Sequence, residues 1–177
     1  LNFGLQDQRF AMNFIKQNIH YFGGDGTDLT IFGESAGAIS ICLHLISPFT
    51  EGIFRNAIME SGSCTFPYSA TYLSRTDADN QGVAIAQILG CTDPGQVLEC
   101  LRSKTVEDIN TAINETNHNG KPPNWFPVVD TIEILQDPYV SFEEGKFLKS
   151  VNILLGSNSN RSEERRVGKE CRSRWAP

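Results

Sequence analysis

Ser35 stands at the centre of Gly33-Glu34-Ser35-Ala36-Gly37. A serine hydroxyl held beside a general base is the nucleophile of acyl-transfer chemistry. Three fixed residues recur often by chance, so the pentapeptide takes its meaning from its flanks. Leu29-Thr30-Ile31-Phe32 before it is a short β-prone run, and residues 38–46 after it form an apolar stretch that reads as a buried helix. Strand, Gly-x-Ser-x-Gly, helix is the context of a nucleophile elbow. Gly33 and Gly37 are expected to let the chain fold back without a Cβ clash, with Ser35 strained at the turn between them. The helix N-terminus beneath Ser35 favours negative charge developing above it.

Such an elbow needs a sheet to mount it, and the rest of the chain supplies the elements in alternation. Residues 7–20 read as an amphipathic helix, with Ala11, Ile15 and Ile19 in one row and Phe10 and Phe14 in the next. Residues 22–28 form a Gly-rich loop with neither the lysine of a phosphate loop nor the alternating acids of a calcium loop. Ala57-Ile58-Met59 and residues 151–155 are further buried strand candidates. Thr76-x-x-Asp79 and Thr105-x-x-Asp108 are capping-box starts for two more helices, and residues 142–147 suggest a short helix and stop. Residues 117–124 read as a polar loop. Trp125 and Phe126 bring bulk suited equally to an acyl pocket or to the core. Ser61 follows the second strand, where loops border the site of a parallel sheet. A plain turn serine is the stronger reading. The alternation predicts an α/β fold with a mainly parallel sheet.

The 177 residues suffice for one domain with a core. No run reaches the ~18–20 apolar residues of a membrane span. Residues 161–177 stand apart: they lack apolar periodicity and hold six of the fifteen Lys and Arg but only three of the twenty-one Asp and Glu. Their string resembles in-frame read-through of a sequencing adaptor, and they are set aside as a non-native tail; the alternative is a natural basic tail. Residues 1–160 then keep nine basic against eighteen acidic residues, a net charge of −9. That excess argues against nucleic-acid binding.

Of five cysteines, Cys171 belongs to the tail. Cys91 and Cys100 flank Thr92-Asp93-Pro94-Gly95, where Asp93 is the expected N-cap of a short helix. Their spacing fits one bridge in an oxidising compartment, or two unpaired thiols. Cys42 lies in the apolar helix and is expected as a buried free thiol, and Cys64 is open. Asn114-Glu115-Thr116 is a candidate glycosylation site. These features point to a secreted or ER-lumenal protein.

Several stretches resemble the type-B carboxylesterase/cholinesterase family in order and spacing. They include Leu5-Gln6-Asp7-Gln8-Arg9, Phe22-Gly23-Gly24-Asp25, residues 30–38 around Ser35, Ser47-Pro48, Phe54-Arg55-Asn56-Ala57-Ile58 and Ser61-Gly62-Ser63. Cys91 to Arg102, Pro127-Val128-Val129-Asp130 and Leu154-Leu155-Gly156-Ser157-Asn158 continue the match through residue 160. The resemblance implies that residues 1–160 are part of a single α/β-hydrolase domain, roughly a third of it. It implies Ser35 as nucleophile, the Ala36 N–H as an oxyanion donor, and a Cys91–Cys100 disulfide. A Gly-Gly oxyanion segment is expected upstream of Leu1 and the triad histidine downstream; none of His20, His44 and His118 matches it, and His44 reads as a packing or capping residue. The triad glutamate is expected where Arg161 stands, and Glu163 and Glu164 are out of register. Thr131 stands where the family has glycine.

The implied reaction is hydrolysis of a small-molecule or lipid carboxylic ester, with no metal and no cofactor. The chain as written is expected to be inactive and poorly soluble. A non-catalytic cell-adhesion relative resembling the neuroligins is the alternative, and Ser35 in an intact elbow argues against it. A lipase or thioesterase of another α/β type is a third reading.

Overall fold

The computed structural model describes residues 1–65, 72–116 and 125–158. In chain order the elements are α1 (Phe3–Asn18), a 3₁₀ turn (Ile19–Phe22), β1 (Thr30–Glu34), α2 (Ala36–Ile46) and β2 (Asn56–Glu60). Then come α3 (Arg75–Ile88), α4 (Val97–Ser103), α5 (Val106–Glu115), α6 (Pro138–Glu143) and β3 (Asn152–Gly156). They fall into two compact units. Gly4–Thr65 with Pro138 onward holds the sheet, and Leu1–Phe3 with Phe66–Asp137 holds α3 to α5.

The sheet is parallel, in the order β1-β2-β3. Thr30, Asn56 and Asn152 lie in register at one end, and Glu34, Glu60 and Gly156 at the other. An amide ladder pins that register. Asn152 Nδ2 donates to Asn56 Oδ1 at 2.9 Å, and Asn56 Nδ2 donates to Asp28 Oδ1 and Thr30 Oγ1, each at 3.1 Å. A one-residue slip would break these bonds and turn every strand side chain to the opposite face. Helix α2 is apolar on nearly every side, and it buries Ala38, Ile41, Cys42, Leu43, His44 and Leu45. That all-round pattern marks a core helix. It packs on β1 and β2 over the buried Ala57 and Met59. The helix stops at Ser47-Pro48, where Thr50 Oγ1 ties back to the carbonyls of His44 and Ser47.

Helix α1 starts four residues earlier than its apolar period predicts, and it passes into the 3₁₀ turn after Asn18. Its aromatic row is outward: Phe10 is 73% and Phe14 60% exposed. The sequence period marks a face built for burial, and among the described residues no surface covers it. β3 is exposed along its whole length for the same reason, although its apolar run predicts a buried strand.

In the second unit, α5 begins on the expected capping box: Thr105 Oγ1 accepts the Asp108 N–H, and Asp108 Oδ2 accepts the Thr105 N–H. The cap of α3 is Ser74, not Thr76. Ser74-x-x-Asp77 fits the same pattern two residues earlier, and Ser74 Oγ accepts the Asp77 N–H at 3.2 Å. Asp93 caps a turn ahead of α4, whose own N-cap is Gln96. Gly95 N–H reaches Asp93 Oδ1 at 2.9 Å, which closes the turn before the helix can start. Helix α6 begins at Pro138, before the expected 142, because proline suits a first helical turn. Trp125 and Phe126 are both exposed, so among the described residues they are not core residues.

The cysteines require one correction. Cys42 is not a free thiol but is bonded to Cys64, 22 residues on, with Cα atoms 5.5 Å apart. The crossover from β1 through α2 to β2 brings the helix face beside the segment that follows β2. Linear spacing carries no trace of that approach. Cys91 and Cys100 form the second bridge, as their spacing allows. The loop at 117–124 and the tail at 161–177 lie outside the described residues.

Candidate active site

The elbow is built from the end of β1 and the start of α2. Ser35 has φ 53° and ψ −113°, a conformation rare outside glycine. Holding it costs on the order of 1–3 kcal/mol, which the surroundings must offset. Two backbone bonds hold it: the Ser35 N–H donates to the Glu60 carbonyl at 2.9 Å, and the Ser35 carbonyl accepts the Ile39 N–H at 3.0 Å. Ser35 is half-buried, and Ala36 after it is exposed. Ala36 opens α2, so its N–H has no intrahelical acceptor.

The two glycines of the motif play different parts. A Cβ on Gly33 would come within 2.7 Å of the Gly37 carbonyl carbon and 2.9 Å of its Cα. A Cβ on Gly37 would meet nothing within 4 Å. The steric need expected of both therefore falls on Gly33 alone, because Gly37 lies inside α2 with its open side outward. A third glycine, Gly62, completes the packing: a Cβ there would overlap the Ser35 carbonyl oxygen and approach Ala38 Cβ to 2.9 Å. Its sequence signal is a glycine just after a strand, which marks close backbone approach.

Glu34 closes β1 and lines a cleft of about 630 Å³ with Glu60, Ser61, Leu155, Ser157 and Asn158. The cleft lies at the carboxyl ends of the three strands, where sites of open parallel sheets form. Ser61 stands at a backbone turn between two strand ends. It has φ 52°, and its N–H donates to the Gly156 carbonyl at 2.8 Å, which joins the ends of β2 and β3.

Of the histidines, His44 is 2% exposed, and its Nε2 bonds Gln8 Oε1 at 2.9 Å. Burial, and secondarily the Arg9 charge, push its pKa down to about 4. Its Nδ1 is buried with no hydrogen-bond partner. The ring is a neutral packing group turned toward α1. The His20 ring lies 3.9 Å from the Tyr21 ring, tilted by 40°, in the 3₁₀ turn, and His118 lies outside the described residues, as do Arg161, Glu163 and Glu164. Among the described residues no cluster of acids, His and Cys could hold a metal.

The carboxylesterase family model matches residues 2–166. The chain belongs to the carboxylesterase family. A cholinesterase 2 of Branchiostoma lanceolatum is 39% identical over 163 residues, covering 90% of this chain and 47% of that protein. An acetylcholinesterase of Myxine glutinosa is 36% identical over 166 residues, with the same two shares. A solved structure of a PNB esterase superposes with a TM-score of 0.74 at 31% identity, over 90% of this chain and 33% of that one. The fold is therefore part of an α/β-hydrolase. The chain spans about half the length of these two cholinesterases, and its family match runs six residues into the segment set aside as a tail.

The structure joins Gly33, Glu34, Ser35, Ala36 and Gly37 in one elbow. Cys91–Cys100 and Asn114 lie in the other unit. Asn114 is exposed on α5, and the Thr116 hydroxyl of its sequon donates to the Ile113 carbonyl at 2.7 Å.

Proposed function

We propose that the protein hydrolyses carboxylic esters through Ser35. Ser35 Oγ attacks the ester carbonyl, a histidine other than His20, His44 and His118 takes its proton, and the Ala36 N–H stabilises the tetrahedral oxyanion. The alcohol leaves and water releases the acyl group. The observation that carries this is the strained Ser35 backbone, held between the Glu60 carbonyl and the first turn of α2. Backbone strain of this kind concentrates at active sites, and here it falls on the serine of the motif. The same feature disfavours a purely adhesive, neuroligin-like role.

Neither described histidine is placed as a base, and the position of the triad acid is Arg161 in the proposed non-native tail. The 177-residue chain alone is then inactive, since loss of any triad member costs on the order of 10⁴-fold or more in turnover. Purified chain is expected to hydrolyse a chromogenic short-chain ester no faster than its Ser35→Ala variant. In the protein carrying the uninterrupted sequence, a fluorophosphonate probe should label Ser35 and spare Ser35→Ala; failure to label would overturn the ester-hydrolase reading. Two disulfides support a secreted or ER-lumenal setting, in which Asn114 would carry a glycan. No helix among the described residues is long and apolar enough to cross a membrane.

A further inference from the structure

We infer that the Cys42–Cys64 bridge is a positioning device for the Ser35 elbow, acting through Gly62. Cys42 follows Ser35 by seven residues, two turns of α2, so it lies on the helix face that also leads back to the elbow. Cys64 sits four residues past the end of β2. Its N–H approaches Cys42 Sγ at 3.0 Å, and both residues are buried. Between Glu60 and Cys64 the chain meets Ser35 twice. The Glu60 carbonyl accepts the Ser35 N–H at 2.9 Å, and Gly62 lies so close that a Cβ would overlap the Ser35 carbonyl oxygen. Ser35 is thus flanked on its amide and carbonyl sides by one short backbone segment.

That segment is itself strained, since Ser61 has φ 52°. A strained residue keeps its conformation only where its surroundings over-determine it. β2 fixes the segment at Glu60, and the bridge fixes it at Cys64, directly onto the helix whose first turn Ser35 opens. Burial of both cysteines shields the bridge from thiol reductants, so it acts as a permanent strap rather than a switch. The value of this to a nucleophile rests on the ester-hydrolase reading; the mechanical coupling does not.

The test is amide hydrogen exchange on the full chain, read at the hydrogen-bonded amides of Ser35 and Ile39. Cys42→Ala/Cys64→Ala should speed their exchange about tenfold or more, as local opening of the elbow requires. Cys91→Ala/Cys100→Ala, which removes the bridge of the other unit, should leave them unchanged. Gly62→Ala, with both bridges intact, should reproduce the acceleration because it pushes directly on the Ser35 carbonyl. Unchanged exchange at Ser35 and Ile39 in the Cys42/Cys64 double variant would overturn the inference. If that variant exchanges everywhere, Gly62→Ala decides, and normal protection there is equally fatal. Failure of fluorophosphonate labelling removes the hydrolase reading but leaves this result interpretable.

Discussion

Gly33 and Gly37 look equivalent in the sequence and are not equivalent in the fold. Gly33 faces the Gly37 main chain at distances no Cβ tolerates, whereas Gly37 faces open space from within a helix. Gly33→Ala must displace the start of α2 and is expected to lower stability by about 2 kcal/mol or more, by analogy with overpacked cores. Gly37→Ala should raise it by up to ~1 kcal/mol through helix propensity. Urea unfolding of both variants checks the pair, and equal destabilisation would refute the asymmetry. Thr131 makes the opposite point. It is a β-branched residue at φ 61°, with its N–H donated to the Ile134 carbonyl at 3.0 Å. Asp130 before it is buried, which alone would raise its pKa. The N–H groups of Ile134, Ile132 and Glu133 and the Asn2 amide outweigh that and hold the pKa below the usual carboxylate range. This cluster forces the turn on Thr131. Thr131→Gly should therefore stabilise the second unit by about 0.5–1 kcal/mol, the relief of a left-handed threonine less the backbone entropy of glycine. The melting temperature of that transition should rise; a fall would show that the threonine side chain contributes more than its strain costs. Both positions were visible in the sequence, Gly33 from the motif and Thr131 as a departure from the family pattern. Which glycine bears the clash could be read only in three dimensions.

At the scale of elements, the strands and α2 were legible because short apolar runs bounded by turn residues leave few alternatives. Their ends shifted by a residue or two; the cap of α3 moved because overlapping Ser/Thr/Asp patterns compete for one start, and that of α4 because the Asp93 turn closes ahead of the helix. The Cys42–Cys64 link was not legible, since a contact between a helix and the far end of the next strand exists only once the crossover has formed. The burial of His44 on α2, hydrogen-bonded to Gln8 of α1, has a pH consequence. His44 titrates near 6.5 in the unfolded chain and near 4 in the fold, where burial and Arg9 oppose its charge. Above about pH 6.5 the ring is neutral in both states and adds no pH dependence. As pH falls from about 6.5 to about 4, the unfolded chain takes up a proton that the folded chain refuses, so stability is lost. It levels off below about 4, for a total of about 3 kcal/mol. His44→Gln should remove this part of the pH dependence. Denaturant unfolding of the sheet unit at pH 7, 5.5 and 4.5 would show two curves converging as pH drops, and parallel curves would exclude the buried ring as their cause.

Among the described residues, several apolar stretches of the sequence are bare in the fold. Phe10 and Phe14 on α1 and Phe32 on β1 are exposed, as are Leu154 and Leu155 on β3. Together they exceed the scattered apolar residues that ordinary surfaces carry. The free edge of β3 adds unpaired N–H and carbonyl groups, because β3 pairs only with β2 among the described residues. The burial that the sequence predicts for β3 is not found: the strand is exposed along its length, and among the described residues nothing packs on it. Net charge opposes association only weakly here, because repulsion between exposed charges is screened beyond about 8 Å at physiological salt. The chain in isolation is therefore expected to self-associate and to bind the dye ANS. Leu154→Lys/Leu155→Lys should reduce both, since consecutive residues of β3 place one charge on each face of the edge strand. Light scattering across a concentration series reads the first effect and dye fluorescence the second. A wild-type chain that stays monomeric and dark would mean that these apolar faces are covered by the chain's own residues in solution.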